Sequence, residues 1–127
     1  MLDHITFGVA DFARCAAFYD KALEPLGIKR VFEMSAAETG AGPTIGYGDA
    51  KPFFWIGGGK VSSGQLHFAF AAGNRAQVDA FYAAAMAAGG TDNGGPGIRP
   101  HDHPNYYGAF VLDPEGRNIE AVCHAPE

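Results

Sequence analysis

"LDHITFGVADFARCAAFYDKALEPLGI", residues 2–28, decides the fold, because its landmarks return in the second half of the chain. His4 falls on His67, and without a gap Phe7 falls on Phe70, Asp11 on Asn74, Ala13 on Ala76, Ala17 on Ala80, Phe18-Tyr19 on Phe81-Tyr82, Leu23 on Met86 and Gly27 on Gly90. Within the stretch, Ile5, Phe7 and Val9 alternate with His4, Thr6 and Gly8, and a period of two sends the two sets to opposite faces of a strand. A helix follows in each copy. Asp11 and Asn74 are good N-caps, with Gln77 three residues after Asn74 in the manner of a capping box. The first helix is predicted to end near Pro25-Leu26-Gly27 and the second at Gly89.

Shorter strand candidates come next: Lys29–Glu33, Thr44–Tyr47 and Phe53–Ile56 in the first half, then a weak one near Ile98, Tyr107–Leu112 and Asn118–Cys123 in the second. Gly48-Asp49 and Asp113-Pro114-Glu115-Gly116 read as the turns between them, and Gly57-Gly58-Gly59 as a flexible joint between halves. The expected fold is α+β, one domain over residues 1–127. It comprises two pseudo-symmetric βαβββ modules, 1–57 and 65–124, whose mixed sheets line a cleft with the helices outside.

Length and composition bound the function. A chain of 127 residues buries one core. A net charge of −5 with no basic run argues against nucleic acid and anionic membrane as partners, and leaves a small-molecule substrate. No stretch approaches membrane-spanning length and no signal-peptide pattern opens the chain, so a soluble, cytoplasmic protein is expected. Cys15 and Cys123 are too few for a disulfide framework.

The histidines stand on the polar face of their strands, at repeat-related positions. In the last strand, "RNIEAVCH" (117–124), Ile119, Ala121 and Cys123 form one face, and Asn118, Glu120, Val122 and His124 the other, so Glu120 joins His4 and His67 in the cleft. Two imidazoles and one carboxylate form a facial set that leaves positions open on a divalent metal. Fe(II) is favoured, with Mn, Ni, Co or Zn as alternatives. For a general base or an oxyanion donor, the loop "IRPHDHPNYYGAF" (98–110) offers Arg99, His101, Asp102, His103, Tyr106 and Tyr107; His103 and Tyr107 are the first choices for catalysis, with His124 next. One pair of the fourth strand, Phe53 with Trp55 or Phe54 with Ile56, must face the cleft, and Trp55 would offer a stacking surface to a flat substrate. Phe53, Trp55, Arg99 and His124 are the substrate-binding candidates.

The residues 2–28, the mid-chain "QLHFAF" (65–70) and the closing "FVLDPEGRNIEAV" (110–122) resemble the vicinal oxygen chelate superfamily, which holds glyoxalase I, extradiol dioxygenases, and bleomycin and fosfomycin resistance proteins. The resemblance covers nearly the whole chain. It implies that His4, His67 and Glu120 take the ligand positions, and that the reaction is of dioxygenase or lyase/isomerase type. Glyoxalase I-like members carry a fourth ligand, a Glu, on the last strand of the first half; the matching stretch here is "KPFFWIGG" (51–58), with Trp55 at or beside that place and no carboxylate along the strand. The three-ligand set is closer to the dioxygenase branch. The alternative is a metal-free protein that sequesters a drug-like molecule in the aromatic cleft, as resistance proteins of the superfamily do. Members often pair by strand edges or by exchanging half-modules, so the resemblance is compatible with a homodimer.

Overall fold

The computed structural model describes residues 1–127. The elements run β1 (Ile5–Gly8), α1 (Phe12–Ala22), β2 (Lys29–Met34), α2 (Ala36–Thr39), β3 (Thr44–Gly48), β4 (Pro52–Gly57), β5 (His67–Ala71), α3 (Arg75–Ala87), β6 (Thr91–Asp92), β7 (Gly97–Ile98), β8 (Tyr107–Leu112) and β9 (Asn118–Cys123). They form two mixed sheets. One has the strand order β1-β4-β3-β2; the other has β5-β9-β8-β6, with β7 also paired to β8. In each half the first strand lies parallel to the last and ends its sheet, so β1 and β5 are sheet edges, with β2 and β6 at the opposite ends.

Local chemistry sets the helix limits. The Asp11 side chain accepts from Arg14 N at 3.2 Å, and Asn74 accepts from Gln77 N at 2.9 Å. Gln77 returns the bond to Gly73 N at 2.6 Å, one residue before the position a capping box would use. After α1 a single 3₁₀ turn, Glu24–Leu26, runs to Gly27 at φ 76°, a left-handed stop that favours glycine. The short helix α2, with its Ser35–Glu38 capping box, and the two-residue β6 were not foreseen. The run Gly57-Gly58-Gly59, expected as a flexible joint, is instead closely packed. Gly57 ends β4, Gly58 N donates to Pro43 O at 2.8 Å, and a Cβ on Gly42 would stand 2.2 Å from Gly59 N. These glycines permit backbone to lie against backbone.

The apolar faces of both sheets merge into one core of 22 buried residues rather than two. Phe54 is its hub, within 4.9–6.4 Å, centroid to centroid, of Phe7, Tyr47, Tyr19, Phe68 and Phe70. Each such buried ring contributes about 1.5–3 kcal/mol by area, plus an edge-to-face term. A turn from the second half also grips the first. Buried Asp113 accepts from Tyr19 Oη at 2.6 Å, Arg117 Nη2 donates to Gly8 O at 3.0 Å, and Glu115 accepts from Ala10 N and Asp11 N. The opposite sheet faces remain free of this core, and they carry the candidate site.

Candidate metal centre

Strand register settles which side chains share a face. His67, Ala69 and Ala71 of β5 lie beside Asn118, Glu120 and Val122 of β9, and Phe110 of β8 lies beside Glu120. His67 and Glu120 meet: Nε2 is 3.1 Å from Oε1, with the imidazole half exposed and the carboxyl 1% exposed. His67 Nδ1 stands 3.2 Å from Asn118 O. A carbonyl only accepts, so Nδ1 carries a proton, and Nε2 without one presents a lone pair to the carboxylate. Two acceptors at that distance need a cation or a proton between them. Adjacent ligands on an octahedral ion with bonds of about 2.1 Å stand about 3.0 Å apart, and a metal-binding histidine characteristically donates its other nitrogen to a carbonyl or carboxylate. This pair fits a divalent metal on both counts.

His4 shows the same preparation. It lies just before β1, exposed, and its Nδ1 donates to Asp3 Oδ1 at 2.7 Å while Lys51 Nζ holds the other oxygen of Asp3 at 3.0 Å. His4 Nε2 is left free. The single chain does not bring His4 to the His67–Glu120 pair: no group of three His, Cys, Asp or Glu side chains forms a metal-sized cluster. His67 instead lines one pocket with Leu2, Ile5, Phe53, Phe68 and Ala69, a pocket that neither His4 nor Glu120 lines.

On the first sheet's open face, Thr6 pairs with Trp55 as Ala69 pairs with Glu120, so Trp55 occupies the register position of the carboxylate. Phe53 and Trp55 are the pair that faces outward, since Phe54 and Ile56 are buried. Trp55 lies over Gly46, where a Cβ would come within 2.9 Å of the indole, and Phe32 sits 5.9 Å from it.

Around Glu120, alternation along β8 separates the two tyrosines. Tyr107 faces the helix side, where its hydroxyl donates to Asp79 of α3 at 2.6 Å and Arg75 covers its ring at 5.1 Å. The structure thus sets Tyr107 away from Glu120, and Tyr106 takes the place beside it. Tyr106 Oη donates to Glu120 Oε2, and burial first, then that bond and charge, hold its phenol above the ordinary range. The ring of His124 packs edge-on to Tyr106 at 5.1 Å and to His103 at 5.4 Å, which leaves His103 two rings removed from the carboxylate. Arg99 donates to Gly95 O at 2.8 Å and lies over Phe110, 5.4 Å away, whose ring stacks on His67 at 6.2 Å. The loop between Arg99 and Tyr106 is tied by Arg99 N to Tyr106 O at 2.7 Å. Asp3, the Asn118 carbonyl and the contact of Tyr106 with Glu120 were not foreseen. The Asp-His dipeptide just before the strand was the available signal for the first; a carbonyl leaves none.

No helix is long and apolar enough to cross a membrane. The sequence matches no curated protein. Among solved structures, a glyoxalase/bleomycin resistance protein from Albidiferax ferrireducens T118 is 31% identical, with 98% of this chain and 99% of that one covered at a TM-score of 0.79. Two others share the fold: a glyoxalase/bleomycin resistance protein/dioxygenase family enzyme from Burkholderia phytofirmans PsJN (18% identity, 97% and 98% covered, TM-score 0.70) and a lactoylglutathione lyase from Agrobacterium tumefaciens (17%, 97% and 92%, 0.67). The family model of the Glyoxalase/Bleomycin resistance protein/Dioxygenase superfamily matches residues 1–121, and with the two mixed sheets built from βαβββ modules the chain belongs to that superfamily.

Proposed function

We propose that the protein is a divalent-metal-dependent enzyme of the vicinal oxygen chelate type, dioxygenase-like or lyase/isomerase-like, acting on a small substrate with adjacent oxygens. One observation carries this reading: His67 Nε2 faces Glu120 Oε1 at 3.1 Å while Nδ1 is committed to the Asn118 carbonyl. His67 and Glu120 of one copy hold the metal, and His4 supplies the third ligand from a second copy. Support for a shared site comes from one free edge of each sheet, β1 with His4 before it and β5 with His67 on it. A homodimer pairing those edges would bring the open faces together, with Trp55 standing across from Glu120.

When bound, the metal acts as a Lewis acid and holds the substrate's oxygens side by side. The protein's own groups do the rest. Asp3 and the Asn118 carbonyl fix the tautomer of each histidine, Trp55 and Phe53 form an apolar wall against a flat substrate, and Arg99, aligned on Phe110, places positive charge near developing negative charge.

Elemental analysis of anaerobically purified, tag-free protein tests the reading. One metal per chain is expected in the parent, and little in His67→Ala, Glu120→Gln or His4→Ala. A parent that stays empty after reconstitution refutes it, and favours a metal-free small-molecule binding protein using the Phe32–Trp55 surface.

A further inference from the structure

The buried carboxyl of Glu120 has two oxygens, and the structure treats them differently. Oε1 faces His67 Nε2, whereas Oε2 accepts from the Tyr106 hydroxyl. The Tyr106 ring is seated for this task. His124, just after β9, packs edge-on against it, and on β8 stands Gly108, where a Cβ would come within 3.1 Å of Tyr106 Cε1 and 3.2 Å of Glu120 Oε2. Gly108 has ordinary strand geometry and no positive φ, so its lack of a side chain serves space alone. A Cβ at Gly108 would be tight against both, so the phenol or the carboxylate would have to give by a few tenths of an ångström.

We propose that Tyr106 is a positioning residue of the metal centre, holding Glu120 Oε2 so that Oε1 alone is presented beside His67. This rests on the metal site proposed above. Its consequence is a count of open positions. A carboxylate with both oxygens free binds a cation through one or both of them. If one is withheld by a hydrogen bond, two histidines and one oxygen fill three positions of six, and three remain for a chelating substrate and a further ligand. If both bind, one of those positions is lost.

The test uses the full chain loaded with Co(II) alone, in the parent, Tyr106→Phe and Gly108→Ala, with acetohydroxamate as a two-oxygen chelating probe. The variants are expected to retain stoichiometric Co(II), to show an altered Co(II) visible spectrum, and to bind acetohydroxamate about tenfold more weakly, the scale on which groups that orient metal ligands act. Gly108→Ala displaces the phenol without deleting it, so it decides the matter should Tyr106→Phe fail to fold. A Co(II) spectrum and acetohydroxamate affinity equal to the parent's in the folded variants would overturn the role of Tyr106 while leaving the metal site standing. Failure of the parent to bind Co(II), or binding indifferent to Glu120→Gln, would overturn the site itself and this role with it.

Discussion

Glu115 offers a stability experiment whose pH dependence has a fixed sign. Its carboxylate receives Ala10 N at 2.9 and 3.0 Å, Asp11 N at 2.7 Å and Arg117 Nη2 at 3.0 Å. Burial opposes its ionisation, but the N–H groups of Asp11 and Ala10 and the Arg117 guanidinium outweigh that and hold its pKa at about 2, against 4.5 when free. Glu115→Gln removes the charge from these contacts and from the start of α1, at a cost of about 2 kcal/mol for charge-assisted bonds. Over 127 residues the unfolding entropy is about 0.27 kcal/mol/K, so Tm should fall by about 7 °C at pH 7. A group whose pKa is lower folded than unfolded stabilises fully above the unfolded value and loses that contribution as pH falls toward the folded one. The gap between parent and variant should therefore hold above pH 4.5, shrink below it, and close near pH 2. Differential scanning calorimetry of both proteins across that range isolates the one carboxylate, since all others titrate in common. A gap that persists unchanged to pH 3, or is under 2 °C at pH 7, would refute the reasoning.

Two further outcomes bear on the site. If His4 serves a neighbouring copy, refolding an equal mixture of His4→Ala and Glu120→Gln should restore metal to about a quarter of all sites, because half of the dimers are mixed and each carries one intact site; elemental analysis of the mixture reads it. Trp55→Glu places a carboxylate at the register position of Glu120 and should tighten metal binding by about tenfold, measured by competition with a chromophoric chelator.

Much of this arrangement was legible from two periodicities. The returning landmarks gave the two modules, and alternation placed His67 with Glu120 and Phe53 with Trp55, all of which share faces as expected. Alternation did not choose between Tyr106 and Tyr107, because both faces of β8, "YGAFVL", are apolar and nothing in the segment says which one meets Glu120. The phase follows from pairing across the Asp113–Arg117 turn, which sets Phe110 opposite Glu120 and Tyr107 opposite Cys123. His4 is a different case. Its face was readable, but how two sheets turn toward one core depends on the merger of Phe7, Phe54, Phe68 and Phe70, and neither strand's pattern contains that.

The grip of Asp113, Glu115 and Arg117 on the opening turn also ties the first half's helix to residues of the second. Three of the bonds at the start of α1, and the partner of the buried Tyr19 hydroxyl, arrive from more than 90 residues downstream. The dependence runs one way: the start of α3 is served from within its own half, where Glu127 accepts from Arg75 N at 2.8 Å. Cut within residues 58–66, the chain should give a first fragment that is unfolded apart and reassembles on mixing with the second, with the turn as the latch between them.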